Sequence, residues 1–241
     1  FRLASRIPGK EDFARTIAYF KGELHHLGVE IRLGRRIDAG SIAELDEYDA
    51  VIVASGVVPR TIDLLGAELP IVRAYPEALL HPAADSGRIA IVGAGGIGVD
   101  VAHFYSRRGR PVTLMCRGNA VGTHIGRSTR WVILRELREQ GVEMLTGVSY
   151  GRVAPEGVLI RDREGAERLI EAQTVVIAAG QEADDALSAL LQRRGRPCHV
   201  VGGARATDGL DAVRAFREGA LAARELATRC RAGADSRLGP V

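Results

Sequence analysis

Six consecutive residues, 93–98, have the spacing of a phosphate-binding turn. They read Gly-Ala-Gly-Gly-Ile-Gly and match the pattern G-x-G-x-x-G. Residues 88–92 before the turn, apolar after Arg88, predict a buried strand, and residues from about 96 to 108 predict a helix. A second strand is predicted at 111–116, about 20 residues beyond the turn, which is the context that such a motif requires.

Each glycine of this turn has a physical reason. The first permits the tight turn, the second lets the backbone approach a pyrophosphate, and the last lets the helix pack closely on the strand. The helix N-terminus then offers free N–H groups to the phosphates. A glycine-rich turn without a ligand is the alternative. We predict that a dinucleotide pyrophosphate binds to Gly93, Ala94, Gly95, Gly96, Ile97 and Gly98.

The end of the second strand indicates which nucleotide would bind. Sites that prefer NAD usually have an Asp or Glu there, for the ribose hydroxyls. This strand instead ends Leu-Met-Cys followed by Arg117, with no acidic residue. A guanidinium can pair with a 2′-phosphate, which a carboxylate would repel. We therefore predict NADPH as the ligand, with Arg117 and also Arg127 as candidates for the 2′-phosphate; the alternative is that both are ordinary surface arginines.

Strands and helices alternate along the rest of the chain, which is typical of an α/β fold with a parallel sheet. Apolar periodicity predicts a helix at 10–27, and 29–33 and 50–54 are predicted as strands. Four prolines punctuate residues 57–87, which we interpret as an irregular connection. Later segments predict further elements: a helix at 128–140 with Ser128 or Thr129 as N-cap and with Trp131 packed on the sheet, a hairpin at 150–161, a strand at 174–178, and a final helix at 210–226.

Two segments with one pattern indicate two interleaved domains. Residues 51–56 and 175–180 both read as an apolar strand followed by small residues and a glycine. The sequence therefore predicts a nucleotide-binding domain at 86–180, inserted into an outer domain made of 1–85 plus 181–241. The chain starts at Phe1 without a leading strand, so we expect a fragment.

Composition excludes several classes of function. With 33 Lys and Arg against 30 Asp and Glu, the formal charge of +3 is too small to indicate a nucleic-acid partner. Apolar runs are shorter than the ~18–20 residues of a membrane span, and no signal peptide is recognisable. Neither the three cysteines nor the six histidines have metal-ligand spacing, so no metal site is predicted. We expect a cytoplasmic protein.

Several segments together resemble one family, the bacterial NADPH-dependent 2,4-dienoyl-CoA reductases and related old-yellow-enzyme-like flavoproteins. The matching segments run in family order over almost the whole chain. They are Ile7-Pro8-Gly9-Lys10-Glu11-Asp12-Phe13, Ala54-Ser55-Gly56-Val57-Val58-Pro59-Arg60-Thr61, the glycine turn through Asp100, Gly147-Val148-Ser149-Tyr150, Ala179-Gly180-Gln181-Glu182 and Leu210-Asp211-Ala212.

The resemblance implies a fold and an activity. It implies a Rossmann-like NADPH domain inserted in an FAD-binding domain of three layers (ββα/α/β), here without its first strand and glycine motif. It also implies that NADPH passes hydride to FAD for reduction of a dienoyl-CoA. In the family, FMN and a 4Fe–4S cluster belong to an N-terminal barrel that this sequence lacks. That barrel would be a part of the same chain or a partner chain.

The resemblance also implies cofactor contacts, though no catalytic side chain. Ala179 and Gly180 resemble a strand end that passes close to the nicotinamide, and Ser55, Gly56, Gly202 and Gly203 resemble FAD contacts. Arg205 stands where the family commonly has an acidic residue. Because the first βα turn normally holds the FAD pyrophosphate, we do not expect this chain alone to bind FAD tightly. A catalytically silent nucleotide-binding or interaction module, or the same electron-entry unit of a related flavin oxidoreductase with another substrate, are the alternatives.

Overall fold

The computed structural model of the chain describes residues 1–82 and 87–235. In these residues the α-helices are α1 (Phe13–His26), α2 (Tyr75–Leu80), α3 (Gly96–Ser106), α4 (Arg127–Glu139), α5 (Ala186–Arg193) and α6 (Ala212–Asp235). Short 3₁₀ helices occur at Ala4–Arg6, Ile42–Glu47 and Gly202–Ala204. None of the described helices combines the length and the apolar character that crossing a membrane requires.

The strands are short and distributed over four sheets. They are β1 (Ile52–Val53), β2 (Val57–Pro59), β3 (Val72–Ala74), β4 (Ile89–Val92), β5 (Val112–Cys116), β6 (Glu143–Thr146), β7 (Ser149–Ala154), β8 (Gly157–Arg161), β9 (Glu167–Glu171), β10 (Thr174–Ile177), β11 (Gln181–Ala183) and β12 (His199–Val200).

A five-stranded parallel sheet forms the centre of the first of two compact units. Its strand order is β3-β10-β4-β5-β6, and all four pairings are parallel. The central strand β4 is buried at every position, as expected for a strand covered on both faces. The predicted α/β fold with a parallel sheet is therefore confirmed.

Two different layers cover this sheet. Ile89 and Ile91 of β4 pack into the cluster formed with α2, α3 and α4. The alternate residues Ala90 and Val92 pack into a second cluster, with the antiparallel sheet β7-β8-β9. Because side chains alternate across a strand, four apolar residues in a row supply both interfaces and fix the turn that follows them.

The antiparallel layer contains one strand more than the sequence indicated. The predicted hairpin is β7 and β8, paired antiparallel with an irregularity between Tyr150 and Arg152. β9 completes the layer. It was missed because only Ile170 of its five residues is buried, which leaves too weak an alternation to indicate a strand.

Two predictions of local structure are wrong, one of an irregular connection and one of a strand. Residues 57–87 are not an irregular connection throughout, since they contain β2, β3 and α2. Pro76 lies in the first turn of α2, where its missing N–H breaks no hydrogen bond of the helix. Residues 29–33 form no strand, because no partner strand among the described residues supplies the ladder that a strand needs.

The start of α4 also differs from the prediction. The helix begins at Arg127 with Gly126 as its N-cap, so Ser128 and Thr129 lie in its first turn rather than at the cap. Its predicted end is close, since Gly141 has a φ of 75° two residues after the helix. Trp131 does not pack on the sheet and is 64% exposed.

The boundaries of the compact units differ from the predicted domains. The first unit is Phe1–Glu30 with Pro59–Gly180, and the second is Ile31–Val58 with Gln181–Val241. One boundary of the units falls after Gly180, where the sequence also predicts a domain boundary, and the predicted boundary at 85/86 lies outside the described residues, so the division into domains stays a prediction. The first unit includes residues 59–82 because β3 pairs with β10 and the Tyr105 hydroxyl donates to Ala78 O.

The second unit has a small core of its own. β1 and β12 form a parallel pair, and β2 pairs with β11. Ile42, Val53, Leu191 and Ala204 make up the buried cluster. The predicted strand at 50–54 is therefore present, although only its centre pairs.

Candidate functional site

The glycine turn after β4 is shaped by two very close backbone approaches. Gly93 has a φ of 105°, and a Cβ built on it would lie 2.5 Å from Ala178 O. A Cβ on Gly98 would lie only 1.9 Å from Gly93 O. A side chain at either position would collide with backbone, so these two glycines are required for the turn itself.

Gly95 and Gly96 are different, because a Cβ on either would meet no atom of the described residues within 4 Å. Gly95 is the N-cap of α3, and Gly96 is the first residue of the helix. The space over them is therefore open at the point where the helix presents its free N–H groups and partial positive charge. A phosphate group fits this cradle without displacing protein, and a side chain would fill it.

The end of β10 lies directly beside the turn. A Cβ on Gly93 would be 2.9 Å from Ala179 Cα, and Ala178 N donates to Val92 O at 2.8 Å. Gly180 follows with a φ of 115°, and its carbonyl accepts from Arg60 N at 3.1 Å. The structure thus brings the predicted pyrophosphate residues and the predicted nicotinamide residues to one edge of the sheet.

The connection between β5 and α4 borders the same turn. Gly122 N donates to Ala94 O at 2.7 Å, and Arg130 Nε donates to Val121 O at 2.7 Å. These bonds hold the loop against the glycine turn. Arg117 is the first residue of this loop, and Arg127, the first residue of α4, follows it. Both arginines are exposed, and no ion pair involves either in the described part of the chain. Their role toward a phosphate stays a prediction.

Comparison with known proteins assigns a family. The model of the pyridine nucleotide-disulphide oxidoreductases matches residues 29–203. The chain belongs to this family. The family's members are flavin-dependent oxidoreductases that use pyridine nucleotides, so the predicted membership in a flavoprotein oxidoreductase family and the predicted Rossmann-like fold are confirmed.

Individual relatives are considerably longer than this chain. An NADH oxidase of Thermoanaerobacter brockii is 28% identical over 84% of the chain and 32% of its own length. A bilirubin reductase of Mediterraneibacter gnavus is 28% identical over 93% of the chain and 34% of its own length. A solved 2-naphthoyl-CoA reductase complex shares the fold with a TM-score of 0.81 at 24% identity, over 88% of this chain and 32% of that one. The chain spans about a third of the length of these relatives.

The residues predicted to contact FAD, in the second unit, are mostly engaged with protein. Ser55 Oγ donates to Asp184 O at 2.5 Å. Gly202 N donates to the Glu218 carboxylate at 2.6 Å, and Glu218 also pairs with Arg205 at 2.7 Å.

Packing limits the same turn further. A Cβ on Gly203 would lie 2.6 Å from Val57 Cγ1, so no larger residue fits there to supply another polar group. In this second unit, two of the groups predicted to contact FAD, Ser55 Oγ and Gly202 N, are already hydrogen-bonded to protein. Gly56, by contrast, has open space around its α-carbon.

These engaged donors give a first testable expectation. The purified 241-residue chain should carry little flavin, and added FAD should not be retained on desalting, because its predicted donors are already bonded. The visible spectrum before and after incubation with excess FAD measures this. Tight, stoichiometric retention of FAD would show that Ser55 and Gly202 exchange their partners.

One interaction near the turn was missed by sequence reasoning. Asp100 lies in α3, and both its carboxylate oxygens accept from Lys10 Nζ, at 2.6 and 2.7 Å. Both residues, with Gly96, line a groove of about 630 Å³ between α3 and α4. No local signal links residues that are 90 positions apart.

Two titratable side chains under the site are structural. Burial raises the pKa of Tyr150 to about 12, so its hydroxyl stays protonated and donates to Met115 O at 2.9 Å. Burial also raises the pKa of the Cys116 thiol, which lies 3.3 Å from Gly118 O. Neither group is prepared for proton transfer or nucleophilic attack near neutral pH; both brace the end of β5.

Proposed function

We propose that this chain binds NADPH and is the electron-entry portion of a flavin oxidoreductase that resembles the 2,4-dienoyl-CoA reductases. The observation that carries the proposal is the open cradle over Gly95 and Gly96 at the N-terminus of α3. It combines free backbone donors, a helix dipole and space for a pyrophosphate in one place.

Different residues around the cradle would bind different parts of the nucleotide. The turn would hold the pyrophosphate, and the loop that begins at Arg117 would hold the adenosine end. Ala179 and Gly180 would border the nicotinamide, because small residues let a flat ring lie against backbone. A bound NADPH supplies a hydride, and the resemblance implies FAD as its acceptor. The protein's own task is to set distance, face and electrostatics, so no acid or base is needed here.

Three observations support NADPH over NADH. β5 ends without an acidic residue, Arg117 follows it directly, and within residues 1–82 and 87–235 that guanidinium has no carboxylate partner. A 2′-phosphate would provide the missing anionic partner.

Replacing Arg117 with alanine should therefore weaken NADPH binding and leave NADH binding nearly unchanged. A charge-assisted contact to phosphate contributes about 1.5–3 kcal/mol, which corresponds to ~10–150-fold in Kd. Calorimetric titration of both nucleotides into the full chain measures the ratio. A matched control is Arg138→Ala, an exposed arginine in the last turn of α4, which should change neither Kd.

The opposite results are equally clear. Equal losses for NADPH and NADH would show that Arg117 acts on the turn as a whole and not on the 2′-phosphate. Failure of the wild-type chain to bind either nucleotide would show that the glycine turn is only structural, and would remove the proposed function.

A second candidate function is a nucleotide-binding module without catalysis, and the engaged hydrogen-bond donors at Ser55 and Gly202 favour it. NADPH oxidation in the presence of added FAD under anaerobic conditions separates the two. The electron-entry proposal predicts that the chain accelerates reduction of excess FAD, which needs only weak binding, whereas a silent module binds NADPH without changing the rate. The acyl substrate would be determined by parts of the longer relatives that this chain does not span.

A further inference from the structure

A third arginine reaches the edge of the sheet where Arg117 lies. Arg163 belongs to the turn between β8 and β9, 46 residues after Arg117. Its Nε donates to Thr146 O at 3.0 Å, and its Nη2 donates to Thr146 Oγ1 at 2.7 Å. The turn thus delivers a guanidinium to the last residue of β6 and fixes its orientation through two hydrogen bonds.

The sheet register relates this arginine to the end of β5. Thr146 is the direct partner of Cys116, and neighbouring strands lie about 4.8 Å apart. One residue further, Gly147 N donates to Gly118 O at 2.8 Å. Arg117 lies between Cys116 and Gly118, so the loops that carry the two arginines are bonded to each other. Consistent with this proximity, Arg163 favours the thiolate form of Cys116, although burial outweighs it and leaves the pKa of the thiol raised.

The surface of the antiparallel sheet offers a contrast. Arg161 pairs with Glu167 at 2.8 Å, and Arg168 pairs with Glu143 at 2.8 Å. Arg163 pairs with no carboxylate among the described residues, and its bonds to Thr146 leave Nη1 uncommitted. At this edge of the sheet, therefore, two hydrogen-bonded segments each carry an exposed arginine that forms no ion pair within residues 1–82 and 87–235.

We propose that Arg163 is a specificity-determining residue that, together with Arg117, binds the 2′-phosphate of NADPH from the β6 side. This inference rests on the proposed function, because it assigns the adenosine end of that site. Arginine suits the task, since its planar fork can hold Thr146 with one side and present further N–H donors to a phosphate with the other.

The test uses the full chain and three probes: NADPH, NADH and 2′,5′-ADP. Arg163→Ala should weaken NADPH and 2′,5′-ADP on the order of tenfold, as expected for one charge-assisted contact, and leave NADH unchanged. Arg163→Lys, which keeps the charge but not the fork, should lose less. Arg161→Ala, two residues away and paired with Glu167, is the matched control and should change none of the three.

The outcomes separate this inference from the proposed function. If the wild-type chain prefers NADPH but Arg163→Ala has no effect or weakens NADH equally, the role of Arg163 is overturned and the function stands. If the wild-type chain binds both nucleotides equally or not at all, NADPH selectivity fails and this inference fails with it. If Arg163→Ala has a lower melting temperature than the wild-type chain, the same comparison is made with two other variants. They are Arg163→Lys and Thr146→Val, the second of which removes the hydrogen bond from Arg163 Nη2 to Thr146 Oγ1.

Discussion

Replacing Gly98 with alanine should destabilise the first unit by about 3 kcal/mol or more, a large effect for adding one methyl group. The added Cβ would lie 1.9 Å from Gly93 O and 2.8 Å from its carbonyl carbon. Neither the helix nor the turn can move away freely, because Gly93 is itself against Ala178 and Ala179. The strain would therefore spread to both β4 and β10.

The midpoint of urea unfolding measures this loss, and Gly22→Ala supplies the control. Gly22 also lies inside a helix, α1, but a Cβ there would meet no atom within 4 Å. Since alanine is the better helix former by up to about 1 kcal/mol, that variant should be neutral or more stable. Equal stability of Gly98→Ala and the wild type would mean that α3 can shift away from β4, contrary to the close packing that we describe.

The centre of the parallel sheet was predictable from sequence because β4 and β10 are almost fully buried. β4 and the first three residues of β10 are apolar or buried at every position and end in glycine-containing turns. Such runs have few other interpretations when a helix pattern follows. The glycine turn was recognisable for the same reason, since the three motif glycines, Gly93, Gly95 and Gly98, follow a strand and open a helix that the apolar pattern already predicts.

Elements at the margins were harder to predict, because their formation depends on partners that are distant in sequence. β3 exists because β10 pairs with it about 100 residues later, and its flanking prolines pointed to a loop. Residues 29–33 are apolar enough for a strand, yet Leu33 is 85% exposed and no partner is described. Local propensity permits a strand here, but a strand forms only where its backbone hydrogen-bonds to a partner strand.

The candidate site shows the same division. Residues 93–98 and Arg117 follow from spacing, because each is defined relative to a neighbouring strand. The candidate contributions of Lys10 and Arg163 do not. Lys10 is 90 residues from its partner Asp100, and Arg163 is 46 residues from Arg117. Many arginines occur in this chain, and sequence alone gives no reason to choose the one that the β8–β9 turn anchors at Thr146.

Replacing Gly95 with aspartate should abolish NADPH binding while leaving the fold intact. The backbone at Gly95 is extended, with φ −72° and ψ −167°, and among the described residues a Cβ there meets no atom within 4 Å. Aspartate is a preferred N-cap and complements the helix dipole, so α3 should be as stable as before or slightly more so. The same carboxylate would occupy the phosphate cradle, and like charges at such a site cost several kcal/mol.

A loss of more than ~100-fold in Kd for NADPH is therefore expected, measured by calorimetry beside a thermal melt. Gly95→Asn is the matched variant, because it has the same size and capping ability without the charge. It should bind more weakly than the wild-type chain but more tightly than Gly95→Asp. If Gly95→Asp binds NADPH normally, the pyrophosphate lies elsewhere, since a carboxylate and a phosphate cannot share the N–H groups that begin α3.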